Sequence, residues 1–253
     1  MRPLAQLALM ALLPACAFFR SADVPMHAEP HLQAAAPAAV GEDAAGRVLV
    51  VLLPGFGDGP EDFVERGVVA RLEAVGPEVD VIAADAHFGY YRGDFTVVER
   101  LHADVVAPAL AARRYAKVWV VGVSMGGYGA LAYAMDHADV VTGAIVLAPY
   151  LGPDDVFEAV RDAGGLAAWT PPDPATIEDD ELRHATRLWA FLKAAAATGA
   201  PALWVGVGDD DGLAPVVRLV TAALPADHAL EREGGHGWVV WVPLFDALVS
   251  RAL

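Results

Sequence analysis

Six short, largely apolar runs alternate along this chain with stretches of helical length, and no other feature constrains the fold as strongly. The runs are Arg47 to Leu53, Val79 to Ala84, Lys117 to Val123, Thr142 to Ala148, Ala202 to Gly208 and a weaker, alternating one at His228 to Glu233. A strand that is apolar on both sides of its pleat has to be buried on both faces, which is the condition of a central strand in a parallel sheet. The helical stretches are Glu61 to Val75, Val97 to Arg113, Met125 to His137, Glu181 to Ala197, Leu213 to Leu224 and Trp238 to Ala252. Leu182, Ala185, Leu188, Trp189 and Leu192 recur at the spacing that gathers them on one helix face, as do Trp238, Trp241, Val242, Phe245 and Val249. This alternation predicts an α/β class with a mostly parallel central sheet and helices on both faces, and in such sheets function collects at the carboxyl ends of the strands.

Composition narrows the partners. With 253 residues, 56% of them apolar and 20% charged, the chain can fill a sizeable core, which excludes disorder, collagen and coiled coil. The net charge of -16, from 33 acidic against 17 basic residues, repels phosphate backbones, so nucleic acid is not an expected partner. The single cysteine, Cys16, builds neither an intrachain disulfide nor a cysteine-based zinc site.

The position of Cys16 has its own reading. Met1 and Arg2 precede a stretch from Leu4 to Phe19 that is mostly apolar and too short to span a bilayer, the pattern of an export signal. Leu13-Pro14-Ala15-Cys16 resembles the lipobox of bacterial lipoproteins, in which cleavage before the cysteine frees its thiol for a lipid, although Pro14 departs from the usual small or aliphatic residue. The alternatives are cleavage at Ala15-Cys16-Ala17, releasing a soluble protein, and a coincidental apolar tail. Residues 1–16 are thus expected to be a signal peptide, with an exported domain in the bacterial cell envelope. Residues 17–46, rich in alanine and proline, are expected to be a linker, because they offer little apolar area to offset their ordering entropy. His27 and His31 lie four apart within it, without a third metal ligand nearby. The domain is then expected over residues 47–253.

The loop after Lys117 to Val123 reads Gly122-Val123-Ser124-Met125-Gly126, a G-x-S-x-G nucleophile elbow that puts a serine on a sharp strand-to-helix turn. The chain has three serines and 24 glycines, so a random match is expected only about 0.03 times. A serine needs a base, and the base a carboxylate to orient it. Asp209-Asp210-Asp211 follows one later strand, and Gly234-Gly235-His236-Gly237 follows the last. The order Ser, Asp, His along the chain is the one this architecture uses. His236 lies on a glycine loop, whereas His102 and His184 fall within helical stretches, His137 at a helix end and His228 at a strand start. Any of the three aspartates fits this order, and a calcium ion held by them is the structural alternative.

These residues carry a resemblance. From Arg47 to Leu253 the chain resembles the α/β-hydrolase superfamily, and Ser124 to Leu131 is similar to the elbow of its esterase members. The acid loop of that superfamily often reads G-x-x-D-x-x-x-P, and Gly208 to Pro215 matches it with Asp211 at the acid position, while Asp209 and Asp210 remain rivals. The resemblance implies oxyanion donors at the amides of Met125 and of Phe56, in Pro54-Gly55-Phe56-Gly57, where Pro54 replaces the usual histidine. It also implies a short cap after the fourth core strand, over residues 151–180. The aromatic cluster at Asp85 to Asp94 and the cap suggest a substrate pocket of His87, Tyr90, Tyr91 and Trp169, with Arg92 or His87 meeting a polar group. A metal on Asp85, His87 and Asp94 is the alternative, but acyl transfer through Ser124 requires no metal or cofactor. The expected activity is that of a carboxylesterase-like serine hydrolase acting on a small-molecule or lipid ester. A lipase, thioesterase or amidase would use the same parts, and a surface-anchored binding protein that retains the fold is the non-catalytic alternative.

Overall fold

The central apolar runs do lie side by side. In the computed structural model, which describes residues 20–33 and 46–253, the strands are β1 (Ala28–His31), β2 (Val48–Leu53), β3 (Val79–Ala84), β4 (Lys117–Val123), β5 (Gly143–Leu147), β6 (Ala202–Gly208) and β7 (Ala229–Arg232). They form one seven-stranded sheet in the order β1-β3-β2-β4-β5-β6-β7, parallel throughout except at β1. Every residue of β3 and of β5 is buried, as the uninterrupted apolar sequence of β5 requires, and the one charged residue of β3, Asp80, is ion-paired with Arg47 and Arg113. The alternating run becomes β7 at one edge, half-buried and with Glu231 and Arg232 exposed.

The helices are α1 (Pro60–Glu65), α2 (Val68–Glu73), α3 (Val97–Leu101), α4 (Ala107–Ala112), α5 (Met125–Asp136), α6 (Asp154–Asp162), α7 (Asp180–Thr198), α8 (Ala214–Thr221) and α9 (Trp238–Ala252). Helices α2 and α9 pack together on one face of the sheet, and α3, α5 and α7 cover the other. Two stretches expected as single helices are interrupted. Gly67, at φ 73°, breaks the first between α1 and α2, in a left-handed conformation that glycine adopts at little cost. A widened π-helical turn, His102–Val106, separates α3 from α4, just before Pro108, which has no amide hydrogen to donate back.

The expected linker over 17–46 needs correction. Residues 28–31 form β1, antiparallel to β3 with Ala28 opposite Ala84 and His31 opposite Val81, and Met26 is buried. Apolar area is not all that orders this segment. An edge strand also gains the backbone hydrogen bonds that β3 offers, and Pro30 is tolerated because it stands on an outer strand. Coverage by β1 also explains why β3 is buried throughout. Cys16 and the proposed signal peptide lie outside the described residues.

The segment expected as a cap, 151–180, is packed structure. It contains α6 and a short turn at Pro174–Thr176, and it buries Val156, Val160, Leu166 and Trp169.

Candidate active site

Ser124 stands between β4 and α5 with φ 51° and ψ -116°, a conformation strained for any residue with a side chain. Its surroundings determine it. The Ser124 amide donates to the Leu147 carbonyl at 2.9 Å, and the Ser124 carbonyl accepts from the amides of Gly127 and Tyr150, each at 3.0 Å. The glycines of the elbow are required by close approach: a Cβ at Gly122 would overlap the Gly126 carbonyl, and one at Gly126 would overlap the Leu53 carbonyl of β2. The elbow can therefore form only where two neighbouring strands and a helix start meet.

His236 and Asp211 come to this serine from loops at the same end of the sheet. His236 Nε2 lies 2.9 Å from Ser124 Oγ, and His236 Nδ1 lies 2.8 Å from Asp211 Oδ2. An ionised carboxylate can only accept, so Nδ1 carries the proton and Nε2 is left to accept from the serine hydroxyl. The Asp211 side chain is fully buried, and its other oxygen accepts from the Leu213 amide at 2.8 Å. Its rival Asp209 is engaged elsewhere, where its Oδ1 accepts from the Gly234 amide at 2.9 Å and braces the histidine loop. Trp241 meets the His236 ring edge-on, with centroids 4.9 Å apart.

The loop after β2 lies against the elbow. A Cβ built on Gly55 would stand 3.6 Å from Ser124 Cβ, so Pro54 to Asp58 runs beside the nucleophile. Asp58 Oδ2 accepts from Trp238 Nε1 at 3.2 Å, which ties this loop to the start of α9. Burial, reinforced by nearby Asp62, raises the Asp58 pKa above the usual carboxylate value.

A cavity of about 810 Å³ opens beside Met125, the residue that follows the serine. Of the residues expected at the pocket, Tyr91 and Arg92 line this cavity. His87, Tyr90 and Trp169 do not line it and are buried elsewhere. His87 Nδ1 accepts from the Gly89 amide at 3.1 Å and its ring packs on Tyr90, whose hydroxyl donates to the Val24 carbonyl at 3.2 Å. Trp169 is packed inside the 151–180 segment and its carbonyl accepts from Lys193. Phe88, Phe95, Tyr128, Tyr150 and His184 complete the aromatic lining, and the last four were not singled out from sequence. They are scattered along the chain, and only folding brings His184 against the Phe95 ring at 4.1 Å. Burial, assisted by Arg187, pushes the His184 pKa down to about 4, so this imidazole is neutral at pH 7. Three further histidines pack: His102 and His137 stack with Tyr133, and His228 stacks on Trp204.

A serine on an elbow, hydrogen-bonded to a histidine that a buried aspartate orients, within a mostly parallel sheet, is the arrangement of serine hydrolases with the α/β-hydrolase fold. The Esterase family model matches residues 85–252, more than half of the chain, and the chain belongs to that family of ester-hydrolysing enzymes. Solved structures share the fold at low sequence identity. MPT51 (FbpC1) of Mycobacterium tuberculosis is 21% identical with a TM-score of 0.58, over 82% of this chain and 89% of that one. The fluorophosphonate-binding serine hydrolase FphF of Staphylococcus aureus is 15% identical with a TM-score of 0.59, over 90% and 98%. A ferulic acid esterase is 20% identical with a TM-score of 0.52, over 83% and 84%. No curated protein matches the sequence.

Proposed function

We propose that this esterase hydrolyses carboxylic esters by two-step acyl transfer through Ser124, His236 and Asp211. His236 Nε2 removes the Ser124 proton as Oγ attacks the ester carbonyl, and the tetrahedral oxyanion is held by the amides of Met125 and Phe56. His236 then protonates the leaving alcohol, the acyl group remains on Ser124, and His236 deprotonates the water that releases the acid. Asp211 holds the tautomer and stabilises the imidazolium, while remaining ionised. The observation that carries this reading is the unbroken chain of hydrogen bonds from Asp211 to His236 to Ser124, at 2.8 and 2.9 Å. The cavity beside Met125 mixes aromatic rings with charged side chains, among them Arg92, Glu181, Arg183 and Arg187, and thioester or amide substrates would engage the same catalytic atoms.

Ser124→Ala is expected to abolish labelling by a fluorophosphonate probe and to lower kcat on p-nitrophenyl esters by on the order of 10³-fold or more, with KM little changed. Persistent labelling of the variant would remove Ser124 as the nucleophile, and a wild-type protein that neither labels nor turns over any ester would favour a binding role.

We further propose export with a lipid on Cys16, on the strength of the lipobox-like Leu13 to Cys16. Among the described residues no helix is long and apolar enough to cross a membrane. A lipid on Cys16 would keep Arg20 within about 14 Å of the bilayer surface, the reach of so few extended residues. Mass spectrometry of the mature amino terminus distinguishes an acylated Cys16 from a soluble form beginning near Phe18.

A further inference from the structure

The turn that carries the outer wall of the cavity is held by residues far away in sequence. Phe88–Tyr91 form a short 3-10 turn shortly after β3, and Phe88 and Tyr91 both line the cavity. The Phe88 ring meets Phe56, on the loop beside the nucleophile, edge to face at 5.0 Å. The Tyr91 hydroxyl occupies the space that Gly129 leaves on α5, where a Cβ would overlap it. The same turn thus touches both the proposed oxyanion loop and the helix that begins at the serine.

Its other side is covered by the amino-terminal segment. Arg20 Nη1 donates to Asp85 Oδ1 at 2.8 Å, and Nη2 donates to the second oxygen of the same carboxylate. The Asp85 amide donates to the His27 carbonyl at 2.8 Å, and the Tyr90 hydroxyl donates to the Val24 carbonyl at 3.2 Å. The Arg20 carbonyl lies where a Cβ on Gly89 would be, and buried Met26 donates its amide to Asp104 at 2.8 Å. Burial and the Arg20 charge lower the His87 pKa, and neutral His87 can accept from the Gly89 amide and close the turn from within.

Resting on the Ser124 reading of the site, we propose that residues 20–27 are a strap that positions the 85–91 loop, with Arg20 and Asp85 as positioning residues that set which acyl groups the cavity accepts. The two-pronged guanidinium–carboxylate geometry fixes direction as well as charge. Asp85 is nearly buried, so loss of Arg20 leaves a carboxylate without its partner cation in a poorly hydrated place. The loop then has to move to hydrate it, and Phe88 and Tyr91 move with it. On this proposal a long acyl chain would extend from Ser124 along the wall that Phe88 and Tyr91 form, and an acetyl group would not, so the two esters report on the wall separately from the chemistry.

The test compares kcat and KM on p-nitrophenyl octanoate and p-nitrophenyl acetate for the full chain and its Arg20→Ala, Arg20→Lys and Gly89→Ala variants, with thermal melting to verify folding. For Arg20→Ala the octanoate-to-acetate ratio of kcat/KM is expected to fall about tenfold, mainly through KM for the octanoate. Arg20→Lys is expected to recover part of that ratio, and Gly89→Ala, whose Cβ would overlap both the Arg20 carbonyl and the His87 ring while keeping the charges, to lower it. An unchanged ratio in folded Arg20→Ala, or an equal loss on both esters, would overturn the strap as a specificity element even while Ser124→Ala is inactive. Activity persisting in Ser124→Ala would instead overturn the site reading on which the strap depends.

Discussion

At the scale of single residues, the site is built from conformations and protonation states that its neighbours impose. Ser124 keeps its strained backbone because Leu147, Gly127 and Tyr150 hold its amide and carbonyl, and because glycines on both sides let backbones touch. His184 shows the same control over charge. A base buried as the neutral form has a lowered pKa in the folded state, here about 4 against an ordinary 6.5. Above pH 6.5 neither state is protonated and the stabilisation is intact. As the pH falls from about 6.5 to about 4, the unfolded chain takes up the proton first, and stability falls by up to about 3 kcal/mol. Urea denaturation of the wild type and His184→Leu at pH 7 and pH 4.5 checks this. The variant should lose less stability over that interval, and equal losses would place the pH sensitivity elsewhere. Arg187 reinforces the shift and Asp136 opposes it, so both belong in the interpretation.

At the scale of elements, α7 links helix capping to the cavity. Asp179 caps its start by accepting from the Leu182 amide at 2.8 Å, and Gly199 ends it at φ 74°. The first turns after that cap bring Glu181 and His184 to the cavity wall. Asp179→Ala is expected to cost about 1 kcal/mol, read as a lower melting temperature, and to raise KM more than it changes kcat because fraying disturbs the wall and not Ser124. Elements with a strong period or uniform burial were legible in the sequence, and β2 to β6, α5, α7 and α9 are close to their expected bounds. The breaks at Gly67 and at the π-helical turn before Pro108 were not, because a single glycine or proline inside a helical period does not by itself say whether the helix stops. β1 was missed for a related reason: its stabilisation comes from hydrogen bonds to β3, which composition does not record.

At the scale of the whole molecule, the amino-terminal segment belongs to the folded unit. Residues 20–33 contribute an edge strand, a buried methionine and the strap over the 85–91 loop. A chain beginning at Arg47 would leave the edge of β3, buried along its whole length, without β1. Such an edge invites pairing with other chains. A protein starting at Arg47 is expected to form larger species on size-exclusion chromatography and to melt earlier than one starting at Arg20, and matching profiles would make the strand dispensable.

The sequence by itself determined the α/β class, the serine, the histidine and the group of aspartates, because each is encoded within a few consecutive residues: a run of buried strand, a G-x-S-x-G turn, a glycine loop. The choice of Asp211 over Asp209 was suggested by a motif, and in the fold it rests on which carboxylate faces Nδ1 and which braces Gly234. The cavity wall and the strap were decided by tertiary structure alone. Phe95, Tyr128, Tyr150 and His184 have no common sequence signal, and Arg20 meets Asp85 only because β1 lies along β3. A hydrogen bond or a lining side chain across such a separation depends on the path of the backbone between its ends, and local pattern does not contain that path.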